Sequence, residues 1–353
     1  MRKIILLVVF IITTAFNSLA QIYVFQYRPL ESLEWGYMDI DGNVVIEPQR
    51  RKCYDFSEEG LALVYYSKRN HYDIINLKNE VLDVEPEKFM VKEGFGYGAQ
   101  GYYSGLLGFQ IRKKWGAMDS QGKVVVPVKF DFLSKFIDGY ATARLKNDFY
   151  IVDNIGNDIL INEESVVNIK MFSEGLALFT NNDGLNGFIN EQGEIAIPAQ
   201  YEKVGYFNAG LAWTRNSDGL IGYIDKNGEW VIEPKFLAVS DFDPISGLAK
   251  ARVDEFWGYT NKKGEIKYVT SVKKIYDYSE GLAMAVIYSG HFGFLDENQN
   301  WAIEPQFEAA REFKNGFAAV KEEGKWGIID KSGNWVIEPM FSGIKDVVKV
   351  SEL

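Results

Sequence analysis

The chain has almost none of the residue types on which most protein chemistry depends. In 353 residues there are two histidines, His71 and His291, and one cysteine, Cys53. A lone cysteine excludes an internal disulfide, so the fold must be held by its core. Cys53 itself reads as a small packed residue rather than a nucleophile. Both histidines stand immediately before the aromatic that opens a recurring motif, a place taken elsewhere by Glu34, Lys114 and Lys325. A position that accepts Glu, Lys and His is a solvated strand site rather than a base or a metal ligand. There is no H-E-x-x-H, no C-x-x-C and no G-K-[ST] behind a glycine-rich loop, which removes the usual zinc, redox and nucleotide readings. No catalytic residue, metal or cofactor is expected.

Basic residues are also short, at 38 against 49 acidic ones. Long apolar runs are missing apart from Ile4 to Ile12, which follows Arg2 and Lys3 and precedes Ser18-Leu19-Ala20. That order matches a signal peptide over residues 1–20 with a cut after Ala20. An uncleaved anchor is the other reading, but the run is short of the ~20 residues that a span needs. The expectation is export to the periplasm, cell surface or medium, and no membrane span once the signal is cleaved. The mature chain then carries a net charge of −13, which argues against nucleic acid or anionic lipid as a partner.

What is abundant is aromatic residues, at 15%, and glycine, at 33 residues, with only nine prolines. This composition suits short strands joined by tight turns. The chain is one unit written about nine times. WGYMDIDGNVVIEP starts at Trp35, WGAMDSQGKVVVP at Trp115, IGYIDKNGEWVIEP at Ile221, FGFLDENQNWAIEP at Phe292 and WGIIDKSGNWVIEP at Trp326. A second block, FSEEGLAL at Phe56, FSEGLAL at Phe172 and YSEGLAM at Tyr278, recurs between them. Each unit alternates like a strand, turns at D-x-x-G, alternates again and ends at Glu-Pro. The E-G-L-A block supplies a third strand. The aromatic–Gly pair suggests a ring laid against the bare backbone of the neighbouring unit, and no unit could bury its apolar face alone.

These motifs, WGYMD, KWGAMD, KWGIID, WVIEP and SEGLA, resemble the bacterial WG-repeat (KWG-repeat) family from Trp35 to about Ile344. The resemblance implies an all-β repeat protein and no assigned catalytic residues. The expected organisation is a lead-in over residues 21–34 and a WG-repeat β domain over 35–353. Its expected form is a tandem array of about nine three-stranded antiparallel β-meander units in an open twisted stack, with a closed propeller-like ring as the alternative. The polar-rich end, KDVVKVSEL, suits a terminal cap.

GYGAQG, from Gly96 to Gly101, spells a dinucleotide-binding pattern. No helix follows it, so the match is accidental. Taking Gly94 as the E-G glycine of the third unit leaves 22 residues to Gly116, where other units have 11 to 13. This places an insertion near 97–108 between the E-G and W-G strands. The expected role is non-enzymatic binding or scaffolding of a protein or glycan partner. The candidate contacts are Tyr97, Tyr102, Tyr103 and Phe109, with Trp213, which departs from the repeat. A carbohydrate-active enzyme or glycan-processing factor is the alternative. Two further patterns are weaker. Asp39-Ile40-Asp41-Gly42-Asn43 begins like a calcium loop but lacks the closing glutamate, so it reads as a turn. Glu47, Glu233, Glu304 and Glu338 would form an acidic stripe.

Overall fold

The computed structural model describes residues 21–66, 71–85, 88–91 and 101–351. The expected signal segment and Tyr97 lie outside them. The described residues form nine small antiparallel sheets in tandem and no helix. No sheet closes on itself into a barrel. The common order within a sheet is a short edge strand, the E-G strand, the W-G strand and the closing I-E-P strand. In the ninth unit these are Ala309–Ala310, Phe317–Glu322, Lys325–Asp330 and Trp335–Phe341. The connection between units thus supplies a fourth strand in several sheets, where three were expected.

The W-G glycine has a definite cause. In the ninth unit Trp326 pairs with Phe341 and Ile328 with Ile337, so the closing strand bulges at Glu338-Pro339. The bulge pushes the Ile337 carbonyl towards Gly327, where a Cβ would lie 2.5 Å from it and 2.7 Å from the Trp335 ring. Gly36, Gly116, Gly187, Gly222 and Gly293 meet their own closing strands in the same way. Real side chains do not approach so closely, so only glycine fits. The expected contact with a neighbouring unit is therefore corrected. The close approach is made within one unit, by the strand that Glu-Pro bends.

The E-G turn joins units. Glu174 and Gly175 both take positive φ, 50° and 82°, as a two-residue hairpin turn that matches strand twist requires. The glutamate then reaches the next turn along. The Glu174 carboxylate accepts from the Gly210 amide at 3.0 Å, and Glu280 accepts from the Asn315 and Gly316 amides at 2.6 and 2.9 Å. Lys331 Nζ donates back to the Glu280 carbonyl at 2.8 Å, and Lys226 to that of Glu174 at 2.9 Å. Apolar clusters likewise draw on adjacent units. One combines Met284, Phe294 and Phe307 of the eighth with Ala318, Val320 and Ile329 of the ninth. Each unit buries its face only against its neighbour.

The two ends of the array meet. The first strand, Gln21–Arg28, pairs antiparallel with the W-G strand Trp35–Asp39 on one side. On the other it pairs with the last two strands, Gly343–Ile344 and Val348–Ser351. Phe25, Tyr27 and Met38 share a cluster with Ile328, Ile337 and Phe341, and the Tyr27 and Phe341 ring centroids are 5.0 Å apart. Residues 345–351 of the KDVVKVSEL end are therefore not a free polar cap. Its Val350 is fully buried among Val24, Tyr37 and Ile46.

Candidate functional site

The D-x-x-G turns use their carboxylates on their own backbone. Asp39 Oδ1 accepts from the Asp41 and Asn43 amides at 3.0 and 2.8 Å, and Oδ2 from the Asn43 side chain at 3.0 Å. Asp330 does the same with Ser332 and Asn334, and these bonds to its charged form hold its carboxyl below the usual range, against the opposing effect of burial. Such carboxylates shape turns. Cys53 is half-buried and its Sγ donates to Gln26 Oε1 at 3.1 Å. Burial pushes its thiol up to about 11, which suits a packed residue and disfavours the thiolate needed for nucleophilic attack. Glu47, Glu233, Glu304 and Glu338 are all exposed at equivalent places on their closing strands.

The irregular third unit places the predicted contacts differently from expectation. Its E-G-type turn is Ser104-Gly105, with φ of 49° and 78°. Tyr103 and Leu106 exchange backbone hydrogen bonds across it, as Lys314 and Phe317 do in the ninth unit. From Gly105 to Gly116 is 11 residues, the ordinary spacing. The extra residues therefore precede the turn instead of separating the E-G and W-G strands. Tyr102 then falls in line with Phe136, Phe207 and Phe313, the core aromatic of each unit. It is 6% exposed and donates to the Asp119 carbonyl at 3.3 Å. Phe109, on the strand Leu107–Ile111, is fully buried against Phe89. Neither can touch a partner, because both are needed inside. Trp213 is half-buried, and its indole lies on Gly205, where a Cβ would be 2.2 Å from Nε1. It packs with the cluster around Tyr223 and Phe236 rather than projecting.

Tyr103 is different. It is half-buried and helps to line a groove of about 500 Å³. The groove crosses the edge strands Phe132–Leu133 and Val166–Ser173 and reaches Tyr206, so four successive units contribute. Trp115, Phe132 and Tyr206 supply further aromatic surface, and Lys135 and Lys170 supply exposed cations. Lys135 Nζ sits 5.0 Å from the centre of the Tyr103 ring, close enough for a cation–π attraction. Among the described residues no carboxylate lines the groove, although acids outnumber bases in the chain as a whole. Sequence reasoning missed Lys135, Lys170 and Tyr206, because they sit in connections that carry no motif. Their meeting depends on how neighbouring units stack.

The sequence profile described as the WG containing repeat matches residues 35–66, 115–148, 187–219, 221–255, 292–326 and 326–349, more than half of the chain. The chain belongs to the WG containing repeat family. The WG-repeat profile leaves residues 67–114, 149–186 and 256–291 unmatched, yet the strands Val166–Ser173 with Leu176–Asn181, and Lys274–Ser279 with Leu282–Val286, pair there too. No curated protein sequence matches the chain. Among solved structures, the WG-repeat array is similar to one described as the crystal structure of the eukaryotic initiation factor. The TM-score is 0.60 at 12% identity, covering 94% of this chain and 98% of that one. Apo AztD from Citrobacter koseri gives 0.45 at 9% identity, covering 94% and 99%. The first likeness shows a shared fold and nothing about function.

Proposed function

We propose that this WG-repeat protein is an exported, non-enzymatic binding or scaffold module. It holds a protein or glycan partner in the groove around Tyr103. The observation that carries this reading is the groove's composition: aromatic surface from Tyr103, Trp115, Phe132 and Tyr206 beside Lys135 and Lys170, with no carboxylate among the described residues of the lining. Half-exposed rings offer large contact area at low entropic cost, and local cations select partners with negative charge. Stacked units supply a rigid frame, so little ordering is required on binding. Export rests on the first twenty residues. A photo-crosslinking residue placed at Tyr103 in the intact exported protein tests the reading. One discrete adduct is expected, and it should disappear when K135E and K170E are added. No adduct, or one indifferent to both charge reversals, would remove this groove as the binding site.

A further inference from the structure

A second surface has a different character. Among the described residues five aromatic side chains are exposed: Trp230, Phe256, Trp257, Tyr268 and Tyr288. Four of them gather where the seventh and eighth units adjoin. Phe256 and Trp257 open the W-G strand Phe256–Asn261, Tyr268 closes the strand Ile266–Tyr268, and Tyr288 sits in the turn after Leu282–Val286. Phe256 is 57% exposed and Tyr288 74%. Phe256, Trp257 and Tyr288 border a groove of about 440 Å³ whose floor includes the buried Val272 and Ile275. The repeat does not require the lead ring to be open: Phe292, which takes the place of Trp257 in the next unit's W-G strand, is half-buried against the cluster of Met284, Phe294 and Phe307. Tyr268 stacks edge to face on Phe256, with centroids 6.1 Å apart, and Lys250 and Arg252 lie over the Trp257 ring at 5.4 and 5.6 Å. The rings are thus held in place while still facing water.

The charge around this groove runs against that of the chain. Its lining includes Lys250, Lys273 and Lys274 against one carboxylate, Glu255. Lys250 is bound to Asp277 at 2.8 Å, which leaves Lys273 and Lys274 as the two exposed cations beside the apolar floor. Exposed apolar clusters of this kind mark interaction sites. Aromatic rings at the centre with cations at the rim are the pattern of a protein-binding hot spot. An aliphatic floor has no use for a sugar, whose hydroxyls it cannot satisfy, but it accepts a large apolar side chain.

We infer that the junction of the seventh and eighth units docks an acidic peptide segment of a partner protein. One of the segment's aromatic or aliphatic side chains would lie on Val272 and Ile275 between Phe256 and Tyr288, with its carboxylates against Lys273 and Lys274. This does not depend on the groove at Tyr103. The test is selection of a phage-displayed random dodecapeptide library on the full chain, in parallel with F256A/Y288A. All the substituted side chains are exposed, and circular dichroism checks that the variant folds. Peptides enriched only on the wild type should pair an apolar residue with flanking Asp or Glu. By fluorescence anisotropy the enriched peptide should bind K273E/K274E at least about tenfold more weakly, bind less tightly as salt rises, and bind K135E/K170E unchanged. No wild-type-specific consensus, a basic one, or equal binding to both groove variants would overturn the inference. So would displacement of the peptide by polygalacturonate at lower concentration than by an unlabelled copy, or self-association of the chain through this patch.

Discussion

Val350 offers a sharp test of how the array is held. It is fully buried with Val24, Tyr37, Ile46 and Phe56, opposite Ile22 in the pairing of Val348–Ser351 with Gln21–Arg28. Val350→Ala removes two buried carbons, each worth roughly 0.8 kcal/mol, and leaves a cavity, for a total of about 2 kcal/mol. If opening of the clasp frees the first strand, its amides should exchange about 30-fold faster, since each 1.4 kcal/mol is a factor of ten. Hydrogen exchange read by mass spectrometry on the peptide covering residues 21–28 measures this far from the substitution in sequence. Deleting residues 348–353 should abolish most of the protection of residues 21–24. If protection of 21–28 is unchanged in both variants, the ends are not energetically joined and the reasoning fails.

Three further outcomes follow from the same geometry. Gly222→Ala, whose Cβ would stand 2.2 Å from the Ile232 carbonyl, should lower stability by about 1–3 kcal/mol in urea titration, while Gly108→Ala, with open space around it, should change it by under about 0.5 kcal/mol. Glu280→Ala strips the acceptor from the Asn315 and Gly316 amides and the partner from Lys331. It should cost about 1–2 kcal/mol and speed exchange at those two amides, and unchanged exchange would deny the inter-unit role. Asp346 and Asp55 should respond to pH in opposite senses. Burial raises the Asp346 carboxyl, but Lys314 and Arg311 outweigh it and hold it low. Its stabilisation is present above about pH 4, the unfolded value, and fades as pH falls through the lower folded value. D346N should therefore be less stable than wild type at pH 7, with the gap closing in acid. Asp55 is raised, chiefly by burial and further by the Asp346 charge, against the opposing Gln26 amide. Its ionisation weakens the fold as pH climbs from about 4 through the folded value, so D55N should gain on wild type over that range.

Much of the architecture was legible because the repeat writes local rules many times. D-x-x-G announced the hairpin, since one carboxylate satisfies two turn amides. Glu-Pro does not end the strand, as its lost amide donor suggests it should: the closing strand bulges at Glu338-Pro339 and runs on to Phe341, which pairs with Trp326. The reasons behind two motif residues were not legible. The W-G glycine answers to its own closing strand rather than to a neighbour, and the glutamate of S-E-G is a clamp on the next unit's turn. Neither distance appears in a sequence. The third unit was misaligned because Gly94, in KEGFG, imitates the E-G signal, whereas positive φ at Ser104-Gly105 marks the real turn. That one shift moved Tyr102 and Phe109 from a supposed surface loop into the core.

By itself, the sequence determined the fold class, the number of units, the turn chemistry and the poverty of catalytic groups, because each depends on residues within a few positions of one another. The tertiary structure decided which aromatics face water, which lysines gather beside them, and that the first and last strands share a sheet. Those outcomes depend on how the bulged units twist and stack. Residues 22 and 350 meet only because every intervening unit adds its own rotation, a sum over geometry that no single motif records.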